Sequence, residues 1–469
     1  MELTVAVNDT IDKRVFLDAL TCATRGWYSQ RAPREGLTPA DEWSFYGGNQ
    51  VGGAARVHLN AQTAATFQFE ASFRDGPFVA RGDAVRRNGQ GWDLIEVKSA
   101  KEPEDGKVKR EFLDDLAYTV MVARAAGQAV DRCVLMLLSR AYRLGIPGSL
   151  FIELDVTAAV LERADEFATV APEIAAAILG VQRPEPVLKS ACNGCAFFAH
   201  GCIGDGVATS IFVIPRLGEK RIEQIRPIVD LFQVSASIEL TDNQRRVFDV
   251  VRSGKPLIMP GLARLDDVVW PAYYLDFETV APFLPWFAGD GVHDVHPFQY
   301  SIHRCDHLGA SASHDEYLAP LVGDWRRELV EQMLSDLGEI GSVVVYTDFE
   351  ERRLRAMAAL FPDLAERIQA VIARLFDLHD VVKGGYCHPG FKGRTSIKNV
   401  FPALVPGPGY QDLRIAEGQS ASGVFGLMRV GKYEEATFDQ RRRDLLEYCK
   451  LDTLAMLRVH QVLAQVRGA

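Results

Sequence analysis

Three cysteines close together in the chain, with a fourth about 170 residues before them, most constrain how this sequence can fold. The three are Cys192, Cys195 and Cys202, and the distant one is Cys22. Four thiolates at one point hold either a zinc ion or an iron–sulfur cluster, and C-x2-C spacing is typical of metal ligands. Such a centre would tie the start of the chain to the segment near residue 200 and close a long loop. Spacing alone leaves zinc and iron–sulfur both open.

The remaining cysteines and the apolar pattern bear on the compartment. The other four cysteines have no partner at ligand spacing, and we expect them to be buried thiols; they are Cys133, Cys305, Cys387 and Cys449. Eight cysteines in 469 residues are too few for a disulfide framework. No apolar run reaches the roughly 18–20 residues of a membrane span, and charges stand where a signal peptide would be apolar. The sequence predicts a cytoplasmic protein without a membrane partner.

Length and charge set further bounds. A chain of 469 residues has room for two or three domains, each with its own core. The formal net charge of −10 argues mildly against tight, indiscriminate DNA binding, because phosphate binders usually present a basic surface. Acidic residues gathered at metal sites would account for part of this charge. Neither property specifies the oligomeric state.

A set of charged residues lies on predicted strands in the first half of the chain. The pattern predicts strands over 66–73, 78–86 and 92–99, with an Asn88-Gly89 turn, then a helix over 110–126 and a strand over 133–138. Glu96 and Lys98 are two residues apart and so point to the same side of a strand. With Asp83, and with Glu70 as a further candidate ligand, they form the set that a metal-dependent phosphodiesterase needs.

Together, the cysteines and these charged residues resemble the iron–sulfur branch of the RecB-like PD-(D/E)XK nucleases, which includes the CRISPR-associated exonucleases. The resemblance covers roughly residues 1–207. It implies a three-layer α/β domain, catalytic Asp83, Glu96 and Lys98, and a 4Fe-4S cluster favoured over zinc. The helix after Lys98 lacks the glutamine that relatives place there, with Tyr118 near the expected position, and the register of an upstream histidine, His58, is unclear. These departures keep a catalytically silent domain open.

A second acidic set lies in the last 200 residues. Asp276-x-Glu278 stands on a predicted apolar strand, and Tyr448-x3-Asp452 places both side chains on one face of a predicted helix over 439–466. Glu350 follows a strand over 342–346, and Asp348 or Glu351 is the alternative if that register is wrong. Four carboxylates suit two divalent ions that clamp the attacking water and the leaving oxygen. The tyrosine would orient that water.

This second set resembles the DEDD exonucleases of the RNase H-like superfamily. Several segments around it together resemble an uncharacterised bacterial domain family whose members commonly follow a RecB-like nuclease domain; they are Leu275–Thr279, 297–301, 346–350, 396–398 and 448–453. The catalytic set implied is Asp276, Glu278, Glu350, Tyr448 and Asp452. Asp377 either lies near the site or has a helix-capping or core-edge role. Lys398 could contact phosphate, although a solvated lysine is the commoner explanation for a single lysine.

The predicted organisation is α/β throughout. It comprises a PD-(D/E)XK restriction-endonuclease-like domain over 1–207, a helical linker over 208–265 that resembles half of a helix-hairpin-helix, and an RNase H-like domain over 266–469. The predicted function is a nuclease, dependent on Mg2+ or Mn2+, acting on DNA or RNA, with single strands or ends as the expected partner. The alternative is a nucleic-acid-binding or redox-sensing protein with one or both sites inactive.

Overall fold

The computed structural model describes residues 9–32, 36–62 and 66–468. The chain forms two compact units. The first comprises the described residues up to Gly36, Ser44–Gly206 and Pro282–Asp294; the second comprises Leu37–Trp43, Val207–Ala281 and the residues from Val295 onward. Both units mix helices with a five-stranded sheet, which confirms the predicted α/β class. Residues 208–265, predicted as a linker, fall within the second unit, whereas Pro282–Asp294 belongs to the first.

The first unit is built on one mixed sheet. Its strands are β1 (Phe67–Asp75), β2 (Phe78–Asn88), β3 (Gly91–Lys101), β4 (Val130–Leu138) and β5 (Phe151–Asp155). They lie side by side in chain order, and every neighbouring pair is antiparallel except β3 and β4, which are parallel. The predicted Asn88-Gly89 turn joins β2 to β3, and Gly89 there takes a left-handed φ of 61°. The three predicted strands and their hairpin are confirmed.

Helices cover both faces of this sheet. They are α1 (Lys13–Thr21), α2 (Ala23–Arg31), α3 (Pro39–Asn60), α4 (Arg110–Ala125) and α5 (Thr157–Leu179). On one face, α1, α4 and α5 pack on alternate strand residues such as Val85 and Leu94. On the other face, α3 packs on the intervening residues, such as Ala84 and Ile95. The alternation of a half-buried strand thus serves two cores and gives three layers.

The second unit has a larger set of helices. They are α6 (Glu219–Ile225), α7 (Asp242–Ser253), α8 (Arg326–Asp336), α9 (Phe349–Leu360), α10 (Ala365–Ile372), α11 (Leu378–Gly385), α12 (Ile397–Leu404), α13 (Gly418–Arg429) and α14 (Phe438–Gly468). Local sequence explains several of these ends. Thr241 caps α7 as its sequence predicts, since the hydroxyl accepts the N–H of Gln244.

Seven strands complete the second unit. They are β6 (Leu257–Ile258), β7 (Ala272–Val280), β8 (His296–Cys305), β9 (Ser313–Leu318), β10 (Val343–Val345), β11 (Leu375–Asp377) and β12 (Tyr386–Cys387). Five form a sheet in the order β11-β10-β7-β8-β9, parallel from β11 to β7 and antiparallel beyond, while β6 pairs with β12. The long helix α14 packs against β7, β8 and β9. Among the described residues, no helix is both long and apolar enough to cross a bilayer.

Candidate functional site

Four acidic side chains from three elements meet inside the second unit. β7 supplies Asp276 and Glu278, the first turn of α9 supplies Glu350, and α14 supplies Asp452. Glu278, Glu350 and Asp452 are 6%, 2% and 7% exposed. The carboxylates act on one another electrostatically, since Asp452, Glu350 and Glu278 all raise the pKa of Asp276. The structure therefore brings together the four carboxylates of the predicted C-terminal set.

Burial makes this cluster difficult to ionise. Burial first, and then Asp452, raise the pKa values of both Asp276 and Glu278 well above their usual range. Burial and the nearby Asp377 and Asp452 raise the pKa of Glu350 to about 8. Burial also raises the pKa of Asp452, to about 6, against hydrogen bonds that lower it. Like charges crowded in a low dielectric resist joint ionisation unless a cation binds among them.

Burial distinguishes the three candidate residues of the second acidic motif. Glu350 faces the interior, and one of its oxygens, Oε2, has no hydrogen-bond partner among the described residues. Asp348 and Glu351 instead point outward and form ion pairs with Arg352 and Arg355 one turn further along α9. Of the three alternatives, Glu350 is the one that lies with the other carboxylates.

Cys449 is a neighbour that the sequence prediction treated only as a buried thiol. It is fully buried, and its Sγ lies 3.7 Å from Oδ2 of Asp276. Ligand atoms of Asp276, Glu278 and Cys449 all lie within 4.8 Å of one another. Burial and the adjacent carboxylates raise the pKa of the Cys449 thiol well above its usual value. The thiol is therefore a neutral donor to Asp276.

Two tyrosines and a lysine frame the same carboxylates. The hydroxyl of Tyr410 donates to Oδ1 of Asp452 at 2.6 Å. Lys398 donates to the hydroxyl of Tyr448 at 2.7 Å and to the carbonyl of Ala416 at 2.8 Å. Lys398 also lowers the pKa values of Glu278 and Asp452, partly offsetting burial. The predicted Tyr448 thus lies at the cluster, while Tyr410 joins it from a distant loop that carried no sequence signal.

Asp377 stands at the edge of this cluster. It caps α11, since its Oδ1 accepts the N–H of His379 at 2.8 Å and the N–H of Thr347 at 3.1 Å. Thr347 has a left-handed φ of 100°, which is rare for a β-branched residue. Asp377 therefore has the capping role considered for it, and its charge also reaches Glu350.

The N-terminal set lies on β2 and β3, as the alternation predicts. Glu96 is 4% exposed, and its Oε1 accepts from the ammonium groups of Lys98 and Lys13, each at 3.0 Å. Oδ2 of Asp83 accepts the N–H of Val97 at 2.8 Å. Lys98 also pairs with Asp115 on α4. Asp83, Glu96 and Lys98 are thus brought together, and Lys13 and Asp115 are neighbours that sequence reasoning missed.

The charges of this set oppose one another. Burial and then Glu96 raise the pKa of Asp83 to about 6. Burial alone would raise the pKa of Glu96, but Lys98 and Lys13 outweigh it and hold that pKa below its usual value. Burial likewise disfavours the charged form of Lys98, yet Glu96 and Asp115 raise its pKa above the usual value. Glu96 is therefore ionised at neutral pH, whereas the pKa of Asp83 lies just below neutral pH.

Two cavities meet at Asp83. One, of about 1160 Å³, is lined on the α1 side by residues that include Lys13, Arg14, Arg81 and Asp115. The other, of about 420 Å³, lies beneath α3 and is lined by Glu70, Arg56, Lys98 and glycines of that helix. The predicted extra ligand Glu70 has a left-handed φ of 56° and forms ion pairs with Arg56 and Arg81. It reaches the cleft, but as the partner of two arginines.

Two residues weighed from the sequence lie away from this set. The hydroxyl of Tyr118 is buried and donates to the carbonyls of Ile11 and Val79, at 2.6 and 3.1 Å. On α4, the residue that contacts Lys98 is Asp115, one turn earlier. The ring of His58 packs 5.5 Å from that of Phe151. Tyr118 therefore has a hydrogen-bonding role in the core and His58 a packing role, while Asp115 is the residue of α4 that faces Lys98.

The four cysteines of the first sequence motif line one cavity of the first unit. Cys22 lies at the junction of α1 and α2, and Cys192, Cys195 and Cys202 lie in the segment after α5. All four are free thiols, and burial followed by the other cysteines raises the pKa values of Cys192 and Cys202. Four thiols that line one cavity can hold either a zinc ion or an iron–sulfur cluster.

The other cysteines are thiols as expected, with one difference. Cys133, Cys305 and Cys449 are buried, whereas Cys387 on β12 is only partly buried. This difference follows from its position on the two-stranded β6–β12 sheet, whose β6 residues Leu257 and Ile258 are themselves exposed.

Comparison with known proteins gives a family match for a segment that lies mostly in the second unit. Residues 273–396 match the family described as "Domain of unknown function (DUF2779)". The chain is also 25% identical over 210 residues to "Uncharacterized protein MG366" of Mycoplasma genitalium, covering 40% of this chain and 31% of that protein. Its homolog in Mycoplasma pneumoniae is 30% identical over 131 residues, covering 25% of this chain and 20% of that protein. The chain thus spans a third or less of the length of these relatives.

Proposed function

We propose that this protein is a metal-dependent nuclease, most simply an exonuclease, that hydrolyses phosphodiester bonds of DNA or RNA. The observation that carries the proposal is the meeting of Asp276, Glu278, Glu350 and Asp452 in a buried cluster with raised pKa values. Four carboxylates held out of water, with Lys398 as a nearby cation, destabilise the fold when they ionise. Divalent ions bound among them would remove this cost. The cluster fits a two-metal hydrolase of the RNase H-like type.

Each residue of the cluster has a role in the proposed reaction. The carboxylate oxygens of Asp276, Glu278, Glu350 and Asp452 would hold Mg2+ or Mn2+, both of which prefer oxygen ligands. Bound ions would activate water and stabilise charge on the leaving oxygen. Tyr448, fixed by Lys398, would orient the water, and Tyr410 fixes Asp452. Cys449 would steady Asp276 as a neutral thiol.

The first unit would contain a second nuclease site, of the PD-(D/E)XK type. Asp83 and Glu96 would hold one divalent ion, and Lys98 would stabilise charge on the phosphate in the transition state. The larger cavity beside Asp83 offers Lys13, Arg14, Arg74 and Arg81 to phosphates, beside four acidic residues, and the 61%-exposed ring of Phe45 to a base. These basic side chains place positive charges beside Asp83 in a chain whose net charge is −10.

The cysteine centre is proposed to hold a 4Fe-4S cluster. The four thiols line one cavity, and the resemblance of their spacing to that of iron–sulfur nucleases favours a cluster over a zinc ion. Lys189 donates its backbone N–H to Sγ of Cys192 at 3.5 Å, a contact that favours the thiolate form. The cluster would be a structural staple between Cys22 and the segment after α5.

One observation favours a second candidate function for the N-terminal unit. Both Lys13 and Lys98 occupy the same oxygen of Glu96, and Lys98 is also paired with Asp115. A lysine held by two carboxylates is less free to reach a phosphate. In this alternative the unit binds nucleic acid, or reports the redox state of the cysteine centre, and only the C-terminal site cleaves.

Digestion of 5′- and 3′-labelled DNA and RNA with Mn2+ tests the proposal. Asp276→Asn disables the C-terminal site, and Lys98→Ala disables the N-terminal one. We expect each single variant to keep only the part of wild-type cleavage that the other site performs. The double variant should be inactive. Asp348→Asn is the matched control, because Asp348 is an exposed acid two residues from Glu350 and pairs with Arg352. Activity that survives in the double variant would refute both sites, and wild-type binding without cleavage would favour the binding function.

A further inference from the structure

A second lysine lies in the N-terminal site, on a helix whose far end is a cysteine of the four-cysteine centre. Lys13 is the first residue of α1, and its ammonium group lies 3.0 Å from Oε1 of Glu96, 83 positions along the chain. Its side chain is 27% exposed and Glu96 is nearly buried, so the pair is shielded from solvent. Shielded charge pairs interact more strongly than surface pairs.

The charge balance at the site depends on Lys13. Asp83, Glu96 and Asp115 bring three carboxylates, and Lys13 and Lys98 offset two of their charges with two ammonium groups. Without Lys13 the site would carry one more net negative charge next to Glu96. A divalent ion would then bind more tightly, because one repelling cation is gone.

Helix α1 fixes where Lys13 lies. Asp12 caps its first turn by accepting the N–H of Val15 at 2.9 Å, and Phe16 packs in the core between the rings of Tyr118 and Phe167. The helix is nine residues long, about 14 Å, and its C-cap residue is Cys22. A shift at the Cys22 end therefore moves the Lys13 end, because a helix this short is effectively rigid.

The Cys22 end of α1 is itself held by the cysteine segment. Lys189 donates to the carbonyl of Thr21, the last residue of α1, at 3.1 Å. At the corner between α1 and α2, Gly26 packs so closely on Ala19 that a Cβ there would lie 2.4 Å from the Cβ of Ala19. The corner is tightly packed, and Cys22 is the residue between the two helices, as the C-cap of α1 and the N-cap of α2.

We propose that Lys13 is a positioning residue of the N-terminal site, acting through Glu96, and that α1 makes its position depend on the cysteine centre at Cys22. This inference rests on the proposed nuclease function of that site. Lys13 limits the affinity for the metal ion and holds Glu96 in place for cleavage. The cysteine centre therefore controls the site through a single helix, besides stapling the fold.

The test measures Mn2+ affinity by electron paramagnetic resonance, and cleavage, on full-length protein with its cysteine centre loaded. All variants carry Asp276→Asn, so that the C-terminal site does not cleave and every Mn2+ affinity is compared in the same background. We expect Lys13→Met to bind Mn2+ roughly tenfold more tightly and to cleave at least about tenfold more slowly. Lys13→Arg should restore both toward wild type. Lys220→Met is the control, because Lys220 is an exposed lysine of the second unit.

A merely structural Lys13 would weaken Mn2+ binding and cleavage together, so that result, or no change in Mn2+ affinity, would overturn the inference. If the Asp276→Asn protein itself binds no Mn2+, the N-terminal part of the proposed function fails, and this inference fails with it.

The link to the cysteines is tested by Cys22→Ser. It should reproduce the Lys13→Met pattern of tighter Mn2+ binding and slower cleavage, and it should add little in the Lys13→Met background. Fully additive effects, or a Cys22→Ser protein that has lost its iron but keeps wild-type Mn2+ affinity, would refute the link. If Cys22→Ser does not fold, Lys189→Met replaces it, since it loosens the same end of α1 with all four thiols in place.

Discussion

Replacing Glu350 by glutamine should stabilise the metal-free protein while abolishing C-terminal catalysis. The side chain is 2% exposed, and its neighbours Asp377 and Asp452 add to the effect of burial in raising its pKa from 4.5 to about 8. A carboxyl group that is harder to ionise in the folded state than in the unfolded state binds more protons when folded. Folded-state stability therefore falls as pH rises between those two pKa values.

The shift sets the size of this effect. At about 1.4 kcal/mol per pKa unit, ionising Glu350 costs up to about 5 kcal/mol once the pH exceeds 8. The cost is absent below about pH 4.5. Between about pH 6 and pH 8.5, the free energy of unfolding of Glu350→Gln relative to wild type should therefore rise by up to about 3 kcal/mol. Glutamine matches the size of glutamate and carries no charge, so packing is kept.

Urea unfolding with and without Mg2+ measures both halves of the prediction. Metal-free Glu350→Gln should be more stable than wild type at about pH 8.5, and Mg2+ should stabilise it less, because one ligand is gone. Glu351→Gln is the matched control, since Glu351 is the next residue of α9 but is partly exposed and paired with Arg355. A metal-free Glu350→Gln protein less stable than wild type at high pH, or a control with the same effect, would refute the reasoning.

Three further changes should have distinct outcomes. Tyr448→Phe removes the hydroxyl that accepts from Lys398, so hydrolysis by the C-terminal site should slow at least about tenfold while Mn2+ titration stays unchanged. Cys192→Ala should remove iron and acid-labile sulfide from anaerobically purified protein and lower the melting temperature of the first unit, whereas stoichiometric zinc in the wild type would reject the cluster. Gly52→Ala adds a Cβ that meets no other atom on α3, so thermal unfolding should show stabilisation of about 0.5–1 kcal/mol. The added methyl also narrows the smaller cavity beside Asp83, which should slow Lys98-dependent cleavage.

The sequence carried enough to place the carboxylates on their elements. Strand alternation puts Glu96 and Lys98 on one face of β3, and the i, i+4 spacing puts Tyr448 and Asp452 on one face of α14. Helical spacing also favours Glu350 over Asp348 and Glu351, because Leu354 and Met357, four and seven residues later, are buried residues of α9.

The remaining neighbours depend on how distant elements pack. Lys13 meets Glu96 only because α1 lies on the sheet, and no local pattern marks that contact. Tyr410 reaches Asp452 from a loop 42 residues earlier. From the sequence, Cys449 is an ordinary core thiol. Its contact with Asp276 arises only when α14 packs against β7. Local patterns thus predict the helices and strands, whereas the residues that contact the predicted site residues are determined by tertiary packing.

The position of α14 has a consequence for the order in which the protein becomes competent during synthesis. Asp276 and Glu278 leave the ribosome well before Tyr448 and Asp452, which follow 170 or more positions later. At translation rates of about 5–20 residues per second, that interval is on the order of 10–35 s. During it, β7 and α9 can form while their carboxylates lack Asp452 and the two tyrosine contacts around it. A nascent chain would therefore acquire its C-terminal site only after α14 emerges, so any break in translation before α14 yields a chain without this site.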